Sequence, residues 1–276
     1  MLELVLLTLL GLGLGAFGTL VGAGGGFLLV PILLLIYPEI PPDKITAMSL
    51  FVVMANAGSG SVAYLRQRRV DLRTGWIFAA AMLPGAIAGS MVVGYIPRRL
   101  FDAIFAVAIG LIGLSLQLPQ RSPTMREPLT GWGVVRREIT DILGDTYVYR
   151  YKMWQGVAIS AVVGFISTLL GIGGGVIHVP VMAVLLQFPV HIATATSHFV
   201  LALMAAEATG VHFLDGTLGW DRTLARSAAM ALGAIVGAQV GAHFSHRVRG
   251  EAILRALGLA LLLVAARLAF SAIRGT

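Results

Sequence analysis

The chain contains no cysteine, which excludes disulfides and cysteine-ligated metals. Charged residues make up only 12% of it, about half of what a soluble domain carries. That leaves too few polar groups to cover a water-facing surface, so the natural solvent is a bilayer. No Gly-Lys-Ser/Thr follows the glycine-rich stretches and no strand–helix–strand context surrounds them, so they are not nucleotide loops. The chain opens Met1-Leu2-Glu3, without the basic start of a cleaved signal.

What is present is apolar. Hydrophobic residues reach 57% and the mean hydropathy is +0.88. Stretches of membrane-crossing length recur at 2–21, 45–65, 74–94, 100–118, 154–170, 192–211, 222–244 and 252–270. This predicts an all-α polytopic membrane protein. The net charge of +7 gathers between apolar stretches, where basic residues set orientation. Nucleic acid is therefore not an expected partner. The expected partners are the lipid bilayer and a small solute, and a homodimer is left open.

The chain also repeats itself. Residues 22–31 read GAGGGFLLVP and residues 171–180 read GIGGGVIHVP. ITAMSLF (45–51) matches ATATSHF (193–199), and Met82, Gly85, Ala86, Ile87 and Gly89 match Met230, Gly233, Ala234, Ile235 and Gly237. The expected organisation is a first transmembrane repeat over 1–118, a cytoplasmic linker over 119–152 and a second repeat over 153–276, each repeat with about four helical segments. The linker reads as an aqueous loop, with a short amphipathic surface helix around 132–143 as an equal alternative. Repeats in a polytopic protein point to a transporter whose site lies between two halves. The charge balance puts loop 66–73 and the linker in the cytoplasm, whether residues 2–36 cross once or fold back.

The run 2–36 as one straight helix would be about 52 Å long, against about 30 Å of hydrocarbon. GAGGG is the expected break, because glycine accepts backbone angles that other residues resist. A short helix then starts near Gly26, and its first N–H groups lack intrahelical partners. Two such termini, at Gly24, Gly25, Gly26 and at Gly173, Gly174, Gly175, would supply roughly one positive charge with no Lys or Arg in the membrane. That suits an anion. Spaced pairs such as Gly85 and Gly89 read instead as helix-packing devices.

The second repeated element, ITAMS and ATATS, follows a proline-bearing turn in each copy. Thr46, Ser49, Thr194 and Ser197 are expected to cap a helix start, or to cap it and also present hydroxyls to an oxyanion. Asn56, Ser59, Gln239, His178, His198 and Glu207 are the other polar residues within apolar segments. Ionisable groups there are functional candidates. His198 directly follows the Thr-Ser motif and Glu207 is read as a quarter-turn off the same face, which makes them the proton-coupling candidates. Asn56 and His198 join the substrate-binding candidates.

Together these residues resemble a known family. GxGGGxxxVP, a proline turn, A-x-S/T-S, a basic loop ending VDLRTGW (70–76), AAMLPGAIAGS (80–90) and PRR (97–99) are similar to the TauE/SafE sulfite-exporter-like permeases. The second copy has FLDGTLGWD (213–221) where the first has its basic loop. The resemblance implies a secondary transporter of sulfur-containing or organic anions such as sulfite, sulfonates or sulfoacetate, in a bacterial inner membrane. No cofactor, metal or enzymatic activity is expected. The rival readings are an anion channel and an intramembrane hydrolase using serines of GSGS (58–61) with His178 or His198.

Overall fold

A computed structural model describes residues 1–117, 132–245 and 247–274. The first part of the expected linker, 119–131, lies outside the described residues. The chain runs α1 (Leu2–Leu20), α2 (Gly26–Ile36), α3 (Pro42–Arg66), α4 (Leu72–Val93), α5 (Arg98–Gln117), β1 (Val134–Thr140), β2 (Thr146–Lys152), α6 (Met153–Leu169), α7 (Gly175–Pro180), α8 (Val190–Leu214), α9 (Arg222–Ser245) and α10 (Gly250–Arg274). A π-helical turn over Val181–Leu185 extends α7. Five helices, α1 to α5, precede the two strands and five, α6 to α10, follow them among the described residues.

α1, α3, α4, Arg99–Gln117 of α5, α8 and α9 are each long and apolar enough to cross a bilayer. Their outer faces expose large apolar side chains such as Leu6, Leu9, Val107, Leu111, Leu232 and Val236, which only lipid covers without cost. The protein is an all-α multi-pass membrane protein.

The breaks turn the chain back on itself. α1 runs inward from Glu3, and α2 returns to the same end, where Tyr37 Oη donates to Glu3 Oε1 at 2.8 Å. α6 starts directly after β2. α7 and its π turn return to that end, where Phe188 packs on the rings of Tyr149 and Tyr151 at 4.4 and 4.7 Å. Both pairs fold back on themselves, and their outer ends lie at opposite ends of the fold. α3 and α8 run antiparallel: the Asp71 amide just beyond α3 donates to Thr196 near the start of α8, while Asp43 at the start of α3 lies near His212 in the last turn of α8. α5 and α10 are antiparallel too, with Gln117 at the end of α5 bonded to the Arg255 carbonyl in the second turn of α10.

Small residues set the seams. A Cβ on Gly233, Gly237 or Gly241 of α9 would strike the carbonyls of Thr8, Leu12 or Ala16 of α1. A Cβ on Gly85 or Gly89 of α4 would strike Ala161, Phe165 and Thr168 of α6. These glycines are packing devices, as their four-residue spacing predicts.

The linker corrects one expectation. Residues 132–143 do not form a surface helix; most of them are β1, paired antiparallel with β2 from Val134↔Lys152 to Thr140↔Thr146. VVRREIT and TYVYRYK are β-branched and aromatic on both sides of the DILGD turn, with positive φ at Gly144. That pattern suits a pleated hairpin better than a helix. Nor is this part a free aqueous loop. Arg137 binds Asp71 through two nitrogens at 2.6 and 2.9 Å, and Tyr149 donates to Asp71 at 2.7 Å. Arg69 binds Asp141 at 2.9 and 3.1 Å. Burial works to raise the Asp71 pKa, but Arg137, Thr74 and Tyr149 outweigh it and hold the carboxyl below its usual range. Burial, then the Asp71 charge, pushes the Tyr149 phenol up, so it stays a donor.

Candidate functional site

The two glycine loops meet in the middle of the fold. Val21 to Gly25 joins α1 to α2, with Gly22, Gly24 and Gly25 at φ 75, 73 and 81°. Leu170 to Gly174 joins α6 to α7, with Gly171 and Gly173 at φ 63 and 71°. These left-handed angles are what glycine tolerates and a side chain resists. The loops cross each other: a Cβ on Gly26 would lie 2.9 Å from the Gly171 carbonyl, and one on Gly175 would strike the Gly22 carbonyl. Gly24 and Gly173 both face Val53 of α3 and Leu201 of α8. One expected equivalence fails. Gly25 is left-handed and backs onto Leu14 of its own hairpin, whereas Gly174 is right-handed and faces the Met82 side chain. Neither faces the opposite loop.

The short helices start at Gly26 and Gly175. The first backbone hydrogen bonds into them come from Leu28 and from Ile177 and His178. The preceding N–H groups therefore lack intrahelical partners, as at any helix start.

Of the repeated hydroxyl residues, Thr46, Ser49 and Thr194 touch the two loops, and none is a cap. α3 and α8 begin at Pro42 and Val190 with Pro41 and Pro189 as N-caps. The proline turns start these helices early and leave Thr46, Ser49, Thr194 and Ser197 past the first turn, where their hydroxyls are free of the capping role. Thr46 packs against Gly171, and Thr194 packs against Gly22. All four residues are fully buried. Ser49 donates to the Gly171 carbonyl at 2.7 Å. Among the described residues, the hydroxyls of Thr46, Thr194 and Ser197 have no hydrogen-bond partner. A buried hydroxyl without a partner costs about 1–3 kcal/mol, which makes Thr46, Thr194 and Ser197 candidate donors to a bound acceptor.

Behind the first loop lies a polar network. Asn56 donates to the Gly24 carbonyl at 3.1 Å, Thr19 donates to Asn56 Oδ1 at 3.1 Å, and Tyr64 donates to the Thr19 carbonyl at 2.7 Å. His198 Nε2 lies 3.3 Å from Thr19 Oγ1. The single Thr19 hydroxyl proton goes to Asn56, so the His198 Nε2 carries the proton for this contact. Thr19 and Tyr64 were not among the sequence candidates. Each follows an apolar run in which a single Thr or Tyr gives no signal.

Glu207 is not part of this group. Nine residues along a continuous helix make about two and a half turns, so Glu207 falls on the side of α8 opposite His198 rather than near the same face. Its carboxyl oxygens are buried without a partner among the described residues. Of the hydrolase candidates, His198 packs against Gly60, between Ser59 and Ser61. Ser59 donates to the Ile235 carbonyl, and His178 meets Ser160 at 3.2 Å. The Nδ1 of His178 has no partner among the described residues, so nothing orients it as a base.

The family model for the sulfite exporter TauE/SafE matches residues 7–268. The chain belongs to the TauE/SafE family. It is 31% identical to YunE, a probable membrane transporter protein of Bacillus subtilis, over 99% of each chain. It is 26% identical to a probable membrane transporter protein of Methanocaldococcus jannaschii, over 74% of this chain and 70% of the relative. It is also similar to MamO of Paramagnetospirillum magneticum, named a probable membrane transporter protein, at 24% identity over 87% of this chain and 40% of that one. No solved structure matches. The chain is thus a membrane transporter of the TauE/SafE type. Among its described residues no cluster of His, Asp and Glu has the make-up of a metal site.

Proposed function

We propose that this TauE/SafE protein is a secondary transporter of sulfur-containing or organic anions such as sulfite, sulfonates or sulfoacetate. It works by alternating access between two halves, 1–118 and 153–276, in the inner (plasma) membrane. The observation that carries this reading is that Thr46 and Thr194 each pack against one of the two crossed loops and are buried with hydroxyls that have no partner among the described residues, as is Ser197, three residues beyond Thr194. Hydroxyls and amides with no Lys or Arg bind an oxyanion by hydrogen bonds and dipoles, firmly enough to select it and weakly enough to release it.

The antiparallel course of α3 and α8 and of α5 and α10 supports an inverted pair of halves, each with a re-entrant hairpin and three crossings. In this reading the face with loop 66–73 and the hairpin is cytoplasmic, because the basic residues collect there. His198 and Glu207 are the candidates for coupling proton movement to transport. They act as separate groups, since they face opposite sides of α8.

The test is thermal stability of the purified protein against sulfite, thiosulfate, sulfonates and carboxylates. A ligand at 100 times its dissociation constant adds about 2.7 kcal/mol. The reading expects one anion class to stabilise the protein and Ser197→Ala to weaken that effect. Equal response to all anions, unchanged in the variant, contradicts a site between the loops.

A further inference from the structure

The two ends of the fold are tied differently. On the Glu3 face the ties are partly open to water: Arg226 to Glu3, with side chains 20% and 53% exposed, and Lys44 to Asp221, 42% and 47% exposed. On the hairpin face they are buried: Arg69 with Asp141 at 4% and 0%, and Arg137 with Asp71 at 24% and 0%. Buried ion pairs are screened less than exposed ones, and parting one leaves an uncompensated charge.

Asp71 is the centre of the buried set. Its carboxylate accepts from Arg137, Tyr149, and both the amide and the hydroxyl of Thr74. Its own amide donates to Thr196 of α8. The hairpin that supplies Arg137 and Tyr149 also holds Phe188 between Tyr149 and Tyr151. Phe188 is the outer end of the second folded-back pair, just before α8. The hairpin therefore ties that pair to the α3–α4 loop. Its turn is fastened as well, by Arg69 to Asp141 and by the Ile142 amide to the Gln67 carbonyl at 3.1 Å.

Thr46, Thr194 and Ser197 are sealed from water, at most 1% exposed, and Thr194 and Ser197 lie in the first two turns of α8, at the end where Thr196 meets Asp71. α7 and α8 cannot swing away on this face while Phe188 stays between the tyrosines and Thr196 stays on Asp71. The second half offers no such strap to the opposite face, where FLDGTLGWD replaces the basic loop.

Resting on the transporter reading above, we propose that the β1–β2 hairpin is a one-sided clasp. It closes the site on the hairpin face, and Arg137, Tyr149 and Phe188 must separate from Asp71 and from each other before an anion passes there.

The absence of cysteine makes the test clean. Gln67 and Ile142 share a backbone hydrogen bond and line one cavity of about 150 Å³ with Arg69, Leu143 and His243. Gln67→Cys with Ile142→Cys allows a disulfide that locks the hairpin down. The proposal expects the reduced pair to exchange sulfite in proteoliposomes, the oxidised pair to stop, and reductant to restore exchange. Thermal stabilisation by sulfite should persist when the pair is oxidised. Oxidised protein, fully cross-linked, that exchanges at the reduced rate overturns the clasp. Reduced protein that exchanges none of the tested anions overturns the transporter reading and the clasp with it. A second variant leaves the α4 cap intact: Arg137→Gln removes the clamp while Asp71 still accepts from Thr74. It should speed labelling of a Ser197→Cys thiol by a water-soluble maleimide applied on the hairpin face. Unchanged labelling overturns the clasp as well.

Discussion

Ser49 and Ser197 occupy matching places in the sequence, yet they should fail in different ways when changed to Ala. Ser197 Oγ is buried with no partner among the described residues, so its removal leaves no orphaned acceptor and relieves a desolvated hydroxyl. The ligand-free protein should keep or slightly gain thermal stability. Anion affinity should fall, because a hydrogen bond to a charged group contributes about 1.5–3 kcal/mol. That is roughly a 10- to 100-fold rise in dissociation constant. Ser49 Oγ instead donates to the Gly171 carbonyl at 2.7 Å. Ser49→Ala strands a buried carbonyl on a loop held at positive φ. It should cost about 0.6–2 kcal/mol of stability, the range for hydrogen bonds between membrane helices. Affinity should then fall only as far as the loop shifts. Thermal unfolding with and without sulfite measures both quantities on the same samples. If Ser197→Ala lowers the ligand-free melting temperature and leaves the ligand-induced shift intact, the hydroxyl is structural and the site is elsewhere.

Three further outcomes follow from the geometry. Gly175→Ala should abolish transport, since the added Cβ strikes the Gly22 carbonyl, while Gly174→Ala should be tolerated, since only the mobile end of Met82 must yield at 3.0 Å; transport assays on membrane-inserted protein compare the two. His198→Gln should flatten the pH dependence of transport without abolishing exchange of labelled substrate, and Glu207→Gln should do so separately; identical wild-type profiles in both would make the two residues structural. The folded-state pKa of Asp71 is depressed, because Arg137, Thr74 and Tyr149 outweigh burial. Its contribution to stability is therefore full above the unfolded value of about 3.9 and is lost as pH falls below it. Melting curves of wild type should steepen their decline there, and Asp71→Asn should lose that part of the slope.

The sequence made the membrane class legible because composition and hydropathy act over the whole chain. The glycine breaks were legible because a run of 2–36 cannot span hydrocarbon straight, and the packing glycines because their four-residue spacing is local. Four things were not. The capping role given to Thr46 and Ser49 failed because Pro41 and Pro42 start α3 earlier than the apolar pattern does. The difference between Gly25 and Gly174 depends on backbone angles, which two identical triplets do not reveal. The hairpin was hidden because VVRREIT and TYVYRYK carry enough charge to read as a surface loop. The lone Asp71 in VDLRTGW gave no hint that five hydrogen bonds from three segments meet on it.

Counterflow in proteoliposomes tests the central claim most directly. Vesicles are loaded with unlabelled sulfite, and labelled sulfite is supplied outside. A carrier whose site opens to one side at a time draws label inward transiently above its outside level, with saturable rates. That is the predicted result, with Ser197→Ala shifting half-saturation upward by roughly the 10- to 100-fold given above. Flux that rises linearly with concentration and shows no overshoot, or no flux of sulfite, thiosulfate, sulfonates or carboxylates, contradicts it.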